Sequence, residues 1–446
     1  MKPVIALLGR VVIALLLGLP VIVTAKEAMK AGAAEIDITP HVGYRMAGYF
    51  NERLATGTHD PLKAKVIILQ DGKEKFAFGF CDLVGLSLHV TTNARAQFSA
   101  ASGIPVSHIV IAATHSHTGP SFDDVRRDYF HAKSIAETGK DPQEQYDYAD
   151  FLTDRLVKVF SAANAKIAPA QVSVGIAHQE GLSFNRRYHM KNGKVAFNPG
   201  LLNPNIVKPA GPMDPDVPML SVKLAGETAP TAGFTVFACH ADTIGGTEFS
   251  ADYPFFLQET LRRALGADYI SAFGAGTCGD INHINTGVKV DHVKGFDVAE
   301  HIGTTLGQTV LAAQKDLVVI KKPRFAVKSK TFDAPLQDVT PEQVAAAQAK
   351  LKLLDGTDES GAFMEKVDAV KAVDWAIAAN RCRWRCRCSG WTRTPPLCAC
   401  RARFSSIWDW RSKRRRRSNA PWSSPSAMTG PVMCRPRRHS SKVAMK

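Results

Sequence analysis

Two histidines one residue apart close an apolar run in His108-Ile-Val-Ile-Ala-Ala-Thr-His-Ser-His-Thr-Gly-Pro120. In an extended chain the side chains at i and i+2 point to the same side, so His115 and His117 would present two imidazoles together. Neutral imidazole is the commonest metal ligand near neutral pH and also serves as general acid or base. The glycine and proline that follow let the chain turn and expose the pair. On spacing alone the pair fits a metal or catalytic site, and it fits equally well a pair of polar residues that only close a strand. A second apolar run, Phe234-Thr-Val-Phe-Ala-Cys-His240-Ala-Asp242, again ends in histidine. A third, Ser271-Ala-Phe-Gly-Ala-Gly-Thr-Cys-Gly-Asp280-Ile-Asn282-His283, ends in glycines and polar side chains, a place where substrate can approach backbone closely. Three such strand ends would suit a catalytic zinc, which takes about three protein ligands and keeps one position for water. Taken singly, each histidine is more often a hydrogen-bonded core residue.

The elements that must position these residues read as interleaved strands and helices. Ala34–Pro40 alternates and stops at a proline, as a short strand does. Lys63–Leu69 and Lys75–Phe80 flank Asp71-Gly72 and predict a hairpin. Helices are expected at Thr91–Ala101, Gln145–Ala165, Tyr253–Leu265, Val298–Gln314, Pro341–Lys352 and Gly361–Ala379. Strands are expected at His108–Ala113, Val172–Ala177, Met219–Leu224, Phe234–Cys239 and Tyr269–Ala275. Asn185–Pro218, rich in Asn, Pro and Gly, reads as long loops over a site. No internal repeat of fixed period is visible. The fold class is α/β: a mixed β-sheet with flanking helices and the zinc site at strand ends.

The charge of the 446-residue chain is uneven. The net +15 resides in the last 66 residues, where eighteen Lys and Arg face one acid, Asp409; the other 380 residues hold 38 bases and 40 acids. A basic, nucleic-acid-binding reading would rest on that tail alone, so no nucleic-acid partner is expected. Six of nine cysteines also lie there, and Cys81, Cys239 and Cys278 in the body could form one disulfide at most. At the other end, Lys2 and Arg10, the apolar run Val11–Val23 and the small residues of Val23-Thr24-Ala25 read as a signal peptide over residues 1–25. A secreted or periplasmic address follows.

Here the residues carry a family resemblance. The chain resembles the neutral/alkaline non-lysosomal ceramidase family from about Ala31 to His283, and more thinly to about Asp374. The matching strings are A-E-I-D-I-T-P at Ala34–Pro40, G-T-H-D-P-L at Gly57–Leu62 and A-T-H-S-H-T-G-P at Ala113–Pro120. F-N-R at Phe184–Arg186, V-F-A-C-H at Val236–His240 and C-G-D-I-N at Cys278–Asn282 follow in order. The resemblance implies one catalytic Zn2+ with His115 and His240 as ligands, His117 at the reacting centre and Arg186 lining the site. It implies a hydrolase of linear amides that cleaves N-acylsphingosine with water to sphingosine and fatty acid, in sphingolipid metabolism. Zinc would activate the water and polarise the carbonyl, while His117 and Arg186 would steady the developing oxyanion. The partner implied is a ceramide-like lipid or other N-acyl substrate, with contact to a membrane surface left open.

Two features depart from the resembled pattern. Asn282 stands where the family motif places a catalytic serine; an amide can hydrogen-bond the reacting groups but cannot accept an acyl group. A related secreted hydrolase acting on another amide or ester is therefore the alternative. The larger departure is residues 381–446, with fifteen Arg, six Cys and five of the six Trp. The C-x-C pairs Cys386/Cys388 and Cys398/Cys400, or the run Arg414–Arg417, would make a poor zinc cluster and a poor nucleic-acid patch. A GC-rich gene translated in the wrong frame produces this composition. Read one base over, suitable synonymous codons for Trp391–Trp410 spell a strand ending in Leu-Pro-Gly-Glu, similar to the segment that supplies the family's glutamate ligand. Codons for the run from Met428 shift in the same way to a loop similar to the one bearing its tyrosine ligand. We expect a frame shift near Asn380, a hydrolase domain over 26–380 that is incomplete at its C-terminus, and an aberrant, disordered tail. The chain as written would then be an inactive truncated pseudoenzyme or a weak one, without the glutamate and tyrosine. The part played by His283 is left open.

Overall fold

The computed structural model describes residues 29–321, 323, 325–332, 338–356, 363–379, 384–391 and 397–400. The expected signal peptide at 1–25 lies outside them. So does the tail, apart from Trp384–Trp391, which pairs as a strand onto Phe325–Phe332, and Leu397–Cys400, which pairs onto Trp384–Trp391.

Local sequence explains most element ends. Lys63–Asp71 and Glu74–Cys81 form the expected antiparallel hairpin, with Gly72 at φ +58° making its turn. Ser87 accepts the Val90 N–H at the start of helix Leu88–Ser102, and Gly103 ends that helix at φ +71°. Asp147 does the same for helix Tyr148–Ala165 by accepting from Ala149 and Asp150. Such a cap is worth about 1 kcal/mol. That helix buries Tyr148, Leu152, Leu156 and Phe160, the stripe its periodicity predicts.

The strands join into one nine-stranded mixed sheet. In spatial order it runs Ile270–Ala275, Ala232–Phe237, Asp216–Leu224, Ala168–His178, Lys30–Asp37, Lys63–Asp71, Glu74–Cys81 and Ile109–Ala113, with Val318–Val319 added beside Ala168–His178. Both outermost pairings are parallel and the inner ones antiparallel. The sheet is nearly cut in two at its middle. Lys30–Asp37 and Ala168–His178 share only the pairs Lys30↔Pro169 and Ala31↔Ala168.

The two halves fold over each other, and the burial pattern shows it. Ile67, Leu69, Phe76, Phe78 and Phe80 of the first half share one core with Val172, Leu220, Val222, Phe234 and Val236 of the second. The Phe234 ring lies 6.1 Å from Phe78 and 5.7 Å from Phe80, across the gap between the halves. Val66 and Ile68, the alternate residues, face outward against Phe98, Leu152, Leu156 and Phe160 of the two first-half helices. On the other side Met219, Phe237 and Phe273 pack with Leu257, Leu261, Ile302 and Leu306 of helices Tyr253–Leu265 and Phe296–Ala313. The result is four layers, helix–sheet–sheet–helix, with strands apolar on both faces.

The halves also repeat one order of elements: three antiparallel strands, a helix, a parallel strand, then a further helix, before which the first half inserts an extra one, Val125–Thr138. No fixed period announced this, because the connections differ in length. The first-to-second strand connection spans 38–62 in one half and 179–215 in the other. The second of these corrects the loop expectation for Asn185–Pro218. Arg187–Met190, Val195–Phe197 and Ile206–Pro209 form a small three-stranded sheet there. Strands of three or four residues, set among Pro, Gly and Asn, leave no alternation long enough to read. Among the described residues no helix is long and apolar enough to cross a membrane.

Candidate metal centre

His115, His117 and His240 meet where the tips of the two halves face each other. Their Nε2 atoms lie 3.0 Å (His115–His240), 3.1 Å (His117–His240) and 3.4 Å (His115–His117) apart. The first two residues follow strand Ile109–Ala113 and the third follows Ala232–Phe237. The pair does not converge by strand alternation, as expected from the spacing. The strand stops at Ala113, and His115 adopts φ +71°. A left-handed conformation at a non-glycine residue costs about 1 kcal/mol or more and persists where its surroundings dictate it. Here the Thr114 N–H is held by Cys81 O at 2.8 Å and the His115 N–H by Leu83 O at 2.9 Å.

The other ring nitrogen of each histidine is already engaged. His115 Nδ1 meets Val84 O at 2.7 Å, His117 Nδ1 meets Gly48 O at 3.0 Å and His240 Nδ1 meets Cys278 O at 3.1 Å. A carbonyl only accepts, so each Nδ1 carries the hydrogen and each Nε2 presents a lone pair. Three lone pairs aimed at one point, with no hydrogen among them, repel one another unless a cation lies between. Nitrogens at about 2.1 Å from a tetrahedral metal stand about 3.4 Å apart, close to the spacing seen. Burial lowers the pKa of all three, and the other imidazoles and the nearby Arg186 charge push His117 and His240 further down. They are neutral near pH 7, as metal ligands must be. The donor set therefore fits a borderline metal such as zinc.

Gly48 is required where it stands. Its φ is +102°, and a Cβ there would lie 2.5 Å from His117 O. A second support lies beneath the histidine turn. The Ser116 and Thr118 hydroxyls both donate to Ser250 O, at 2.7 and 2.8 Å. Ser250 Oγ in turn donates to Asp60 Oδ2 at 2.5 Å, and the Ala251 N–H donates to Asp60 Oδ1 at 2.8 Å. Burial raises the Asp60 carboxyl, though these donors and His59 act against it.

Arg186 reaches the same space from the second half's long connection. Its guanidinium donates to Gly279 O at 3.2 and 2.7 Å and lies 4.6 Å over the Phe197 ring. Its hydrogen bonds go to a carbonyl rather than a carboxylate, and burial lowers its pKa. Asn282, fully buried, donates to Asn198 Oδ1 at 3.0 Å and accepts the Ile284 N–H at 3.1 Å. On the far side of His117, Lys294 donates to Asp242 Oδ1 at 2.5 Å and Tyr49 Oη at 2.7 Å. Tyr49 packs edge-on to His117. His283 is not among the converging nitrogens; its Nε2 meets Val293 O at 2.5 Å and its Nδ1 is buried with no hydrogen-bond partner.

Of the residues singled out in the sequence, the structure brings the three histidines to one point, sets Arg186 near enough for its charge to act on all three, and keeps Asn282 in contact with Asn198. Sequence reasoning missed Gly48, Tyr49, Val84, Ser250 and Lys294, none of which sits in a patterned motif. Asp60 was visible only inside the G-T-H-D-P-L string. The body cysteines Cys81, Cys239 and Cys278 are buried free thiols, not a disulfide. A second clustering, His131, Asp141 and Glu144, is an ion-pair network instead of a metal site. Arg45 takes Asp141 at 2.5 Å, and Arg127 grips Glu144 with two nitrogens.

No family model matches the sequence, and neither does any curated protein. Solved structures do. The chain is similar to the crystal structure of neutral ceramidase from Pseudomonas aeruginosa, with TM-score 0.53 and 19% identity over 69% of this chain and 48% of that one. It is also similar to a ceramidase complexed with C2, with TM-score 0.54 and 18% identity over 69% of this chain and 47% of that one. The chain spans about half the length of these proteins. At such identity the likeness is one of architecture: this chain has the mixed α/β fold of the neutral ceramidases.

Proposed function

We propose that the chain derives from a zinc-dependent amide hydrolase acting on ceramide-like lipids, exported to the periplasm or beyond. One observation carries this reading. Three neutral imidazoles from two separate halves aim their lone pairs at a single point, with every Nδ1 hydrogen already committed to a carbonyl. The fold of the neutral ceramidases supports the substrate class. His115 and His240 are the deepest ligands. His117, the most exposed of the three at 14%, gives the third nitrogen and faces the substrate side. Bound there, zinc would supply Lewis acidity toward an amide carbonyl. Arg186, held in place by Gly279 O, presents its positive charge where negative charge would develop on the carbonyl oxygen. Asn282, with both amide atoms engaged, holds Asn198 and the small sheet over Arg186 rather than attacking substrate. Lys294 and Asp242 fix Tyr49 against His117.

Three neutral imidazoles are a sufficient protein set for a catalytic zinc, and an added anionic ligand would tighten it. The expected loss of a glutamate and a tyrosine beyond residue 380 therefore predicts lower metal affinity in the chain as written than in its in-frame counterpart. Resequencing codons 375 to 395 tests the frame: independent reads that keep it intact would remove that explanation. Metal content per chain and release of fatty acid from labelled ceramide test the function. Zinc bound without ceramide hydrolysis, together with turnover of another amide or ester, would move the assignment to the related hydrolase that Asn282 favours.

A further inference from the structure

The small sheet of Arg187–Met190, Val195–Phe197 and Ile206–Pro209, with the loop beside it, gathers several exposed apolar side chains. Val195, Phe197, Leu202 and Val207 expose 42 to 58% of their area, and Val288 and Val290 on the neighbouring loop expose 44 and 43%. Single exposed apolar residues are ordinary, but a tied group of them marks an interaction surface. These are tied. Phe197 pairs with Arg187 and Val195 with His189, so strand alternation puts Arg187, His189, Val195 and Phe197 on one face, opposite the buried Tyr188; Lys208 lies opposite His189 on that face, and Val207 sits in the register shift beside it. The Leu202 N–H donates to Thr286 O at 2.8 Å, which joins this sheet to the loop carrying Val288 and Val290. Leu202 is also held at φ +48°, an unfavourable backbone for a side chain directed into water.

The charge around these residues has one sign. From Leu182 to Met213 there is no acid, while Arg186, Arg187, Lys191, Lys194 and Lys208 all lie in that stretch. Lys191, Lys194, Lys208 and Lys289 are exposed. Asp291 is the one exposed acid on the adjoining part of the loop before Lys294. Apolar side chains interleaved with lysines match the boundary of an anionic bilayer, where the former enter the acyl layer and the latter meet headgroup phosphates. The surface also continues into the metal centre, since the Phe197 ring lies under the Arg186 guanidinium.

We propose that this face docks the chain on an anionic lipid membrane, with the metal centre opening toward the bilayer. The proposal rests on the lipid-amide reading of the site and names the source from which the substrate enters. The test is co-sedimentation of the full chain with phosphatidylcholine vesicles, with and without phosphatidylglycerol, in the presence of a chelator. The expected result is binding to the anionic vesicles that weakens with salt. Each charge reversal in Lys191→Glu, Lys194→Glu and Lys208→Glu should weaken it by about fivefold. The Phe197→Ser/Leu202→Ser/Val207→Ser variant should lose binding by at least about tenfold. Val318→Ser, on an exposed strand elsewhere, should leave it unchanged. Equal sedimentation with neutral and anionic vesicles, or variants that bind like the parent with an unchanged melting profile, would overturn the proposal. So would a change of oligomeric size in the apolar variant without vesicles, which would make the face a contact between copies. Because the chelator removes the chemistry, docking without ceramide hydrolysis would sink only the substrate reading.

Discussion

The two halves of the sheet carry the same order of elements but use their tips differently. Val84 and His240 each stand three residues beyond the last paired residue of an inner strand, Cys81 and Phe237. In the first half that position is a bare carbonyl, and the imidazole comes from the neighbouring outer tip, His115. In the second half the inner tip carries the imidazole and the outer tip supplies the carbonyl, Cys278 O. His115 and His240 are thus each oriented by the tip beside them, with donor and acceptor roles exchanged between the halves. The comparison teaches that neither half holds a site. The first has two imidazoles, each with one carbonyl on its Nδ1, and the second has one imidazole and the arginine.

The largest effect should come from removing an imidazole on either side. His115→Ala and His240→Ala should each lower metal affinity by roughly a hundredfold or more, read by competition with a chromophoric chelator. Equal losses would confirm that both halves bind one ion; full retention in either variant would break the pairing. Acid should act on the same three groups. Their folded pKa values are depressed, so the metal-free fold refuses protons that the unfolded chain accepts at about pH 6.5. Their contribution is complete above that pH and lost as pH falls, with a limiting slope of about 4 kcal/mol per pH unit for three groups. Urea unfolding of the chelated protein between neutrality and pH 5 measures it. The His115→Asn/His117→Asn/His240→Asn variant should flatten the slope.

Gly48→Ala sharpens the first half's side. Its Cβ would enter His117 and its backbone would be strained, a destabilisation of about 2 kcal/mol together with a displaced imidazole. A structure of this variant with His117 unmoved would show that the support is dispensable. Asp60→Asn should have the smallest effect, about a tenfold loss of metal affinity with the fold intact, because it acts two hydrogen bonds away through Ser250.

What was legible in the sequence follows this geometry. Buried strands such as Ile109–Ala113 and Ala232–Phe237 are continuous apolar runs, and a polar residue just past such a run marks a tip. That signal revealed His115, His240 and the turn at Asp280. Helices with a cap and a clear stripe, such as Tyr148–Ala165, were legible to within three residues. The arms were not. Gly48, Tyr49 and Lys294 come from connections whose lengths obey the function of the site and no periodicity. The folding of the sheet onto itself was also hidden, since a strand buried between sheet and helix reads like one buried between two sheets. Phe78 against Phe234 is a contact that no local pattern encodes.

The seam between the halves has one more consequence. Only two residue pairs cross it within the sheet, and the chain first passes over it through Lys166 and Ile167, returning later where Phe325 packs on Phe76. A break placed there would leave two pieces, each with its own sheet and helices and each exposing Phe78 or Phe234 to water. Such pieces would behave as complementing fragments, soluble only in company, with zinc acting as the ligand that selects the reassembled pair.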